Sequence, residues 1–287
     1  MDILLALVPM FAWGSIGLIS GRIGGDANQQ TLGMTIGAGV LSVIIFILMR
    51  PVIMLPVIVV GLLSGLLWSV GQNQQFHAMK FLGVSVGLPI STGLQLIVNT
   101  IAGAVFFREW KTNKDFVLGL TALGMLISGA YLTVRRDQSD DRPVTDGLPA
   151  FGKGLRAVVI STAGYCAYTI MINAAGLDPL AIIFPQSIGM LAGAGFFAFK
   201  KTKVDSFVWK NTVSGLLWGL GNICMLLTMQ QIGLAVSFSL SQMGIIISTI
   251  GGIFILKEAK TKKEIRFVIY GCLLIIAGGV LLGYMKA

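Results

Sequence analysis

The chain has 287 residues, 55% of them hydrophobic and 11% charged, and its mean hydropathy is +0.86. A soluble chain carries about 25% charged residues, so this composition excludes an ordinary soluble domain and points to a bilayer as solvent. The net charge of +9 is no nucleic-acid footprint either, because Lys and Arg cluster in short connections such as "KKTK" and "KEAKTKKEIR", the placement typical of a membrane protein.

A helix needs about 20 apolar residues to cross a hydrocarbon core. Ten segments qualify, at approximately 3–20, 31–49, 54–76, 84–107, 116–134, 154–173, 179–199, 208–229, 232–256 and 266–285. The chain opens "MDILLALVPMFAWGSIG" with no basic leader, so the first span, which holds Trp13, is expected to be retained. The third runs into "WSVGQNQQFHAMK", with Trp68, Gln72, Gln75 and the single histidine, His77. The fourth places Gly87, Ser91, Gln95 and Asn99 four residues apart, with Pro89 a candidate kink. The sixth and seventh add Tyr168, Asn173 and Gln186; the eighth adds Trp218 and Asn222; the ninth adds Ser237, Ser241, Gln242 and Ser248. Sixteen of the 21 basic residues then lie on the side opposite the N-terminus. Both termini are therefore expected outside the cytoplasm. Cys166, Cys224 and Cys272 fall inside spans without metal-type spacing and read as packing residues.

An internal repeat organises the ten spans. Shifted by 150 residues, "SGLLWSVGQ" (64–72) falls on "SGLLWGLGN" (214–222), and ten of thirty positions agree over 64–93 against 214–243. After a one-residue slip, "FREWKTNK" (107–114) matches "LKEAKTKK" (256–263). The expected division is a first five-helix repeat over 1–135, a polar linker over 136–153 and a second repeat over 154–287. An odd number of spans per copy inverts the second copy, giving an all-α integral membrane protein of two inverted five-helix repeats. In such folds substrate binds near the midplane, between the repeats.

The repeat also places the amides. Residues 223–227, "ICMLL", match Asn73–His77 and are apolar, so that helix continues through the membrane and its counterpart does too. Trp68, Gln72 and Gln75 then share one helical stripe. Singly, such residues serve as interhelical glue, worth about 0.6 kcal/mol and up to ~2. Together on repeat-related helices they suggest a polar cavity, with amides offering donors and acceptors to sugar hydroxyls and Trp13, Trp68 and Trp218 offering flat faces. The candidate substrate-binding set is Trp13, Trp68, Gln72, Gln75, Ser91, Gln95, Asn99, Tyr168, Gln186, Asn222 and Gln242. No charged residue sits at the centre of a span; Glu109 and Glu258 fall at span ends as caps or ion-pair partners, and Asp178 begins the seventh span. That pattern favours a neutral polar substrate over a cation or an organic acid. His77 is the candidate for proton coupling. No metal or cofactor is expected, and nothing resembles an intramembrane hydrolase, which needs a nucleophile with a base, paired acids or metal ligands. The seven four-residue glycine spacings, among them Gly33/Gly37, Gly61/Gly65, Gly189/Gly193 and Gly215/Gly219, mark close helix packing.

Three stretches, "WGSIGLISGRIGGDANQQTLGMTIGA", "WSVGQNQQFHAMKFLGVSVGLPISTGLQL" and "FREW", resemble the bacterial glucose/ribose uptake proteins of the drug/metabolite transporter superfamily. The resemblance spans nearly the whole chain. It implies a ten-helix inverted-repeat fold in the bacterial cell membrane and import of a monosaccharide, glucose first and ribose second, by alternating access. Members are generally described as proton symporters. The resemblance supports Gln72, Gln75 and Gln95 as site residues. The alternative is a carrier or exporter of another neutral polar metabolite, such as an amino acid. The expected partners are the sugar, a proton if coupled, and the bilayer, with the chain a monomer or homodimer.

Overall fold

The computed structural model describes residues 2–137, 148–199 and 202–286. Most of the expected linker, residues 138–147, therefore lies outside the described residues. Among the described residues every regular element is helical, and ten helices are long and apolar enough to cross a membrane. Spans 1 to 5 are Leu4–Ile23, Ala27–Met49, Leu55–Leu82, Val84–Phe106 and Asn113–Val134. Spans 6 to 10 are Phe151–Ala175, Pro179–Ala198, Ser206–Ile232, Leu234–Phe254 and Lys262–Leu282. Span 3 runs six residues past its expected end at 76, so Gln72 to His77 lie inside a helix, as the apolar counterpart 223–227 implied.

Local chemistry sets the helix starts. Asp26 closes a capping box on span 2: its carboxylate accepts the Asn28 and Gln29 N–H groups, both at 2.9 Å, while its own N–H donates to Gln29 Oε1 at 2.9 Å. Thr112 and Asp115 repeat the device on span 5. Asp178 accepts the Leu180 N–H at 3.1 Å, ahead of a span that begins with Pro179.

Two spans depart from regular helix in ways that matter for the interior. Span 4 ends in a π-helical turn over Ala102–Phe106 and is helical throughout Val84–Ile101, including Pro89. Span 9 is interrupted: Leu234–Gln242 gives way at Met243 and Gly244 to Ile245–Phe254. Inside a membrane, irregular backbone is tolerated where protein or a cavity covers it. Span 9 is accordingly the most enclosed, with 83% of its best window buried against 33% for span 2.

The packing is reciprocal. Span 3 lies mainly against spans 6 and 7, and span 8 mainly against spans 1 and 2; spans 5 and 10 pair, and span 4 meets spans 5, 6 and 9. Glycines permit the closest crossings. A Cβ on Gly37 would fall 2.0 Å from the Thr212 carbonyl oxygen, and one on Gly215 the same distance from that of Met34. Backbones at that separation leave no room for any side chain.

Candidate functional site

Spans 1, 3, 4, 6, 8 and 9 surround a central cavity with about 650 Å³ of empty space, part of it open to solvent. Six of the eleven residues expected to bind substrate line it: Trp13, Gln72, Gln75, Gln95, Tyr168 and Gln242. Thr92, Tyr165, Ser241 and Ser248 add hydroxyls, while Trp218 and Phe238 add aromatic surface. No residue lining it is charged.

Three of the wall amides, Gln72, Gln75 and Gln95, form one connected network. The Tyr165 hydroxyl donates to Gln72 Oε1 at 2.5 Å and lies 3.2 Å from Gln75 Oε1. The Gln75 and Gln95 amide nitrogens both donate to Ser91 Oγ, at 3.2 and 2.9 Å. Ser91 thus stands just behind the wall, holding two wall amides. The buried Gln72 Nε2 has no partner among the described residues. A buried donor without a partner is costly; here it belongs to a cavity-lining side chain, where an incoming acceptor would satisfy it.

Glycine makes this geometry possible. A Cβ on Gly71 would fall 3.0 Å from the Tyr165 ring and backbone nitrogen, so the glycine eases the close approach by which span 6 brings that hydroxyl onto Gln72. Likewise, a Cβ on Gly14 would lie 2.7 Å from the Gly244 carbonyl oxygen, and its absence lets span 1 press against the break in span 9.

The other expected residues lie away from the wall. Trp68 is fully buried behind it, 4.5 Å from Trp218 and 6.3 Å from Tyr165 between ring centroids. Asn99 ties span 4 to span 6, accepting from Thr169 Oγ1 at 2.6 Å and donating to the Gln95 carbonyl at 3.1 Å. Asn222 donates to Gln186 Oε1 at 3.0 Å, joining spans 8 and 7. His77 is half-buried in span 3 and is not among the lining residues.

Tyr165, Thr92 and Phe238 were missed in the sequence. For Tyr165 the relation appears only in the structure. Gly71 and Gly221 are repeat mates, and a Cβ on Gly221 would meet Trp13 at 2.5 Å as one on Gly71 would meet Tyr165. Tyr165 is therefore the packing counterpart of Trp13. Thr92 and Phe238 carry no comparable mark.

The arrangement is suited to binding a small polar molecule: neutral donors, acceptors and aromatic faces surround a partly open space. Comparison with known proteins agrees. The profile of the sugar transport protein family matches residues 4–285. A provisionally named sugar uptake protein of Enterococcus faecalis is 65% identical over 287 residues, covering 100% of both chains. Similarly named proteins of Lactiplantibacillus plantarum and Streptococcus agalactiae are 48% identical over 288 residues and 46% over 286, covering 100% and 99% of both chains. One crystal structure, 17% identical, covers 99% of this chain and 97% of its own with a TM-score of 0.71, a likeness of fold alone. By that match along nearly its whole length, the chain belongs to the sugar transport protein family, a family of transporters rather than enzymes.

Proposed function

We propose that this protein is a secondary transporter that imports a monosaccharide, glucose first and ribose second, by alternating access. The observation that carries the reading is the uncharged cavity, where Gln72, Gln75, Gln95 and Gln242 stand beside Trp13 and Trp218. Each sugar hydroxyl both donates and accepts, as does each amide, while the aromatic faces suit the CH face of a pyranose ring. A zwitterionic amino acid would favour a charged partner for each of its charges, and the wall offers amides and the helix ends at the span 9 break but no charged side chain.

The two five-helix halves, 1–135 and 154–287, act as inverted repeats rocking about this cavity. Support comes from the repeated "SGLLW" segments and from the exchanged packing, span 3 on spans 6 and 7 and span 8 on spans 1 and 2. The charge bias puts both termini outside the cytoplasm. Where a proton gradient drives uptake, His77 is the first residue to test.

The experiment is uptake of labelled glucose into proteoliposomes, with and without an inward proton gradient, in competition with unlabelled ribose, xylose and alanine. Saturable uptake that ribose inhibits and alanine does not is expected. Accumulation above equilibrium under the gradient marks symport; equilibration alone marks a facilitator. Absence of glucose flux in folded protein, with alanine transported instead, replaces the sugar reading by the amino-acid one.

A further inference from the structure

Spans 4 and 9 pack against one another beside the cavity, and beyond each lies a turn carrying a glutamate that holds the start of the other. Beyond span 4, the Glu109 carboxylate accepts the backbone N–H groups of Leu234 and Ala235, at 2.7 and 2.9 Å, at the first turn of span 9. Beyond span 9, the Glu258 carboxylate accepts those of Val84 and Ser85, at 2.8 and 2.9 Å, at the first turn of span 4. The two contacts lie at opposite ends of span 4, one where Gly83 introduces it and one past Phe106.

Their construction matches in detail. Both glutamates follow a residue in the left-handed region, Arg108 at φ 52° and Lys257 at φ 57°. Both capped helices begin after a left-handed glycine, Gly83 at φ 80° and Gly233 at φ 86°. Each glutamate N–H reaches back to a glycine carbonyl six residues earlier, Gly103 at 3.1 Å and Gly252 at 3.0 Å. A Cβ on Gly103 would lie 2.7 Å from Glu109 Oε2, and one on Gly252 3.3 Å from Glu258 Oε2.

A carboxylate on two free N–H groups of a helix start combines charge-assisted hydrogen bonds with the helix dipole. Both glutamates are half-buried at the rim, where water can replace the bond. Elsewhere the two spans pack closely, as at Gly103, where a Cβ would lie 2.8 Å from that of Ala235, and the polar contact of Thr100 Oγ1 with Ser239 Oγ, 3.4 Å, is longer than the carboxylate bonds.

We propose that the Glu109 and Glu258 caps are the two gate latches of the carrier, each releasing one end of the span 4–span 9 pair so that the cavity opens to one side while the other latch stays closed. This rests on the carrier reading but not on which substrate is carried. Two latches of the same build give the two open states similar free energies, and a carrier needs both states populated. The left-handed residues at both turns are backbone costs that the latches stabilise.

The test reads accessibility without substrate. Along the chain, Thr100 follows the cavity-lining Gln95 toward Glu109 and Thr249 follows the cavity-lining Ser248 toward Glu258, and they are 2% and 0% exposed. Thr100→Cys and Thr249→Cys, each placed in protein with both glutamates, with Glu109→Gln or with Glu258→Gln, are reacted with a maleimide and read by peptide mass spectrometry. The buried native cysteines serve as controls. Glu109→Gln should speed labelling at position 100 by about tenfold or more and leave position 249 within about twofold, and Glu258→Gln should do the reverse. Equal acceleration at both positions, or at neither, overturns the proposal.

Should a glutamine variant fail to fold, the pair Thr100→Cys with Ser239→Cys, in protein with both glutamates, pins the Glu109 end shut once oxidised. Carrier flux should then stop and return on reduction. Undiminished flux with the disulfide formed overturns the latch. If the protein without substitutions moves no glucose, the sugar reading falls while the labelling pattern still decides the latches.

Discussion

Spans 3 and 8 begin from the same words, "SGLLWSVGQ" and "SGLLWGLGN", and do different work. Their tryptophans, Trp68 and Trp218, meet with ring centroids 4.5 Å apart. Their glycines crowd equally: a Cβ on Gly65 would lie 2.1 Å from the Gln186 carbonyl oxygen, and one on its mate Gly215 2.0 Å from that of Met34. One turn past each tryptophan the two helices part. Gln72 bonds to Tyr165 in the cavity wall, whereas Asn222 bonds to Gln186 outside it. After that, span 3 keeps its amides and span 8 becomes apolar. The shared motif thus serves both helices, and the residues one turn beyond it differ: span 3 puts the Gln72 amide in the cavity wall, while span 8 turns Asn222 to its neighbour and lines the cavity through Trp218 instead.

The shared part should break identically. Gly65→Leu and Gly215→Leu should each prevent accumulation of folded protein, a loss above about 4 kcal/mol, because the obstructing atoms are backbone; the yield of monodisperse protein after detergent extraction measures it. The divergent part should separate the copies. Gln72→Leu removes a wall donor and should weaken glucose binding at least tenfold, about 1.4 kcal/mol. Asn222→Leu should leave binding within about twofold and lower stability by about 0.6–2 kcal/mol, the worth of an interhelical hydrogen bond, seen as a lower melting temperature. Tyr165→Phe keeps the ring against Gly71 but frees the Gln72 and Gln75 oxygens. It should raise KM by about three- to tenfold, consistent with about 0.5–1.5 kcal/mol for a hydrogen bond, and lower the melting temperature as well, because the freed oxygens are buried. The smallest effect is expected at His77, outside the wall: His77→Phe should change gradient-free glucose equilibration less than about twofold.

The helices were legible because long apolar runs and glycine pairs such as Gly33/Gly37 are local signals. The course of span 3 through the amides was legible only through its apolar counterpart, since Gln72 to His77 alone read as well for a wet loop. What escaped was tertiary. Nothing local says that Asn99 faces Thr169 rather than the cavity, or that Asn222 faces Gln186, because a membrane amide follows the same helical stripe in both roles. Tyr165 went unnoticed because its partner sits 93 residues away. The span 9 break at Gly244 carries only one glycine among many. Glu109 and Glu258 were legible as caps, yet which helix each caps depends on how the halves meet.

The most direct measurement is glucose binding to purified protein by calorimetry, comparing the unsubstituted chain with Gln72→Leu and Asn222→Leu. The expected result is saturable binding that Gln72→Leu weakens tenfold or more and Asn222→Leu leaves nearly unchanged. Equal losses in the two variants, or no glucose binding by any folded form, would contradict a sugar site on the span 3 wall of this cavity.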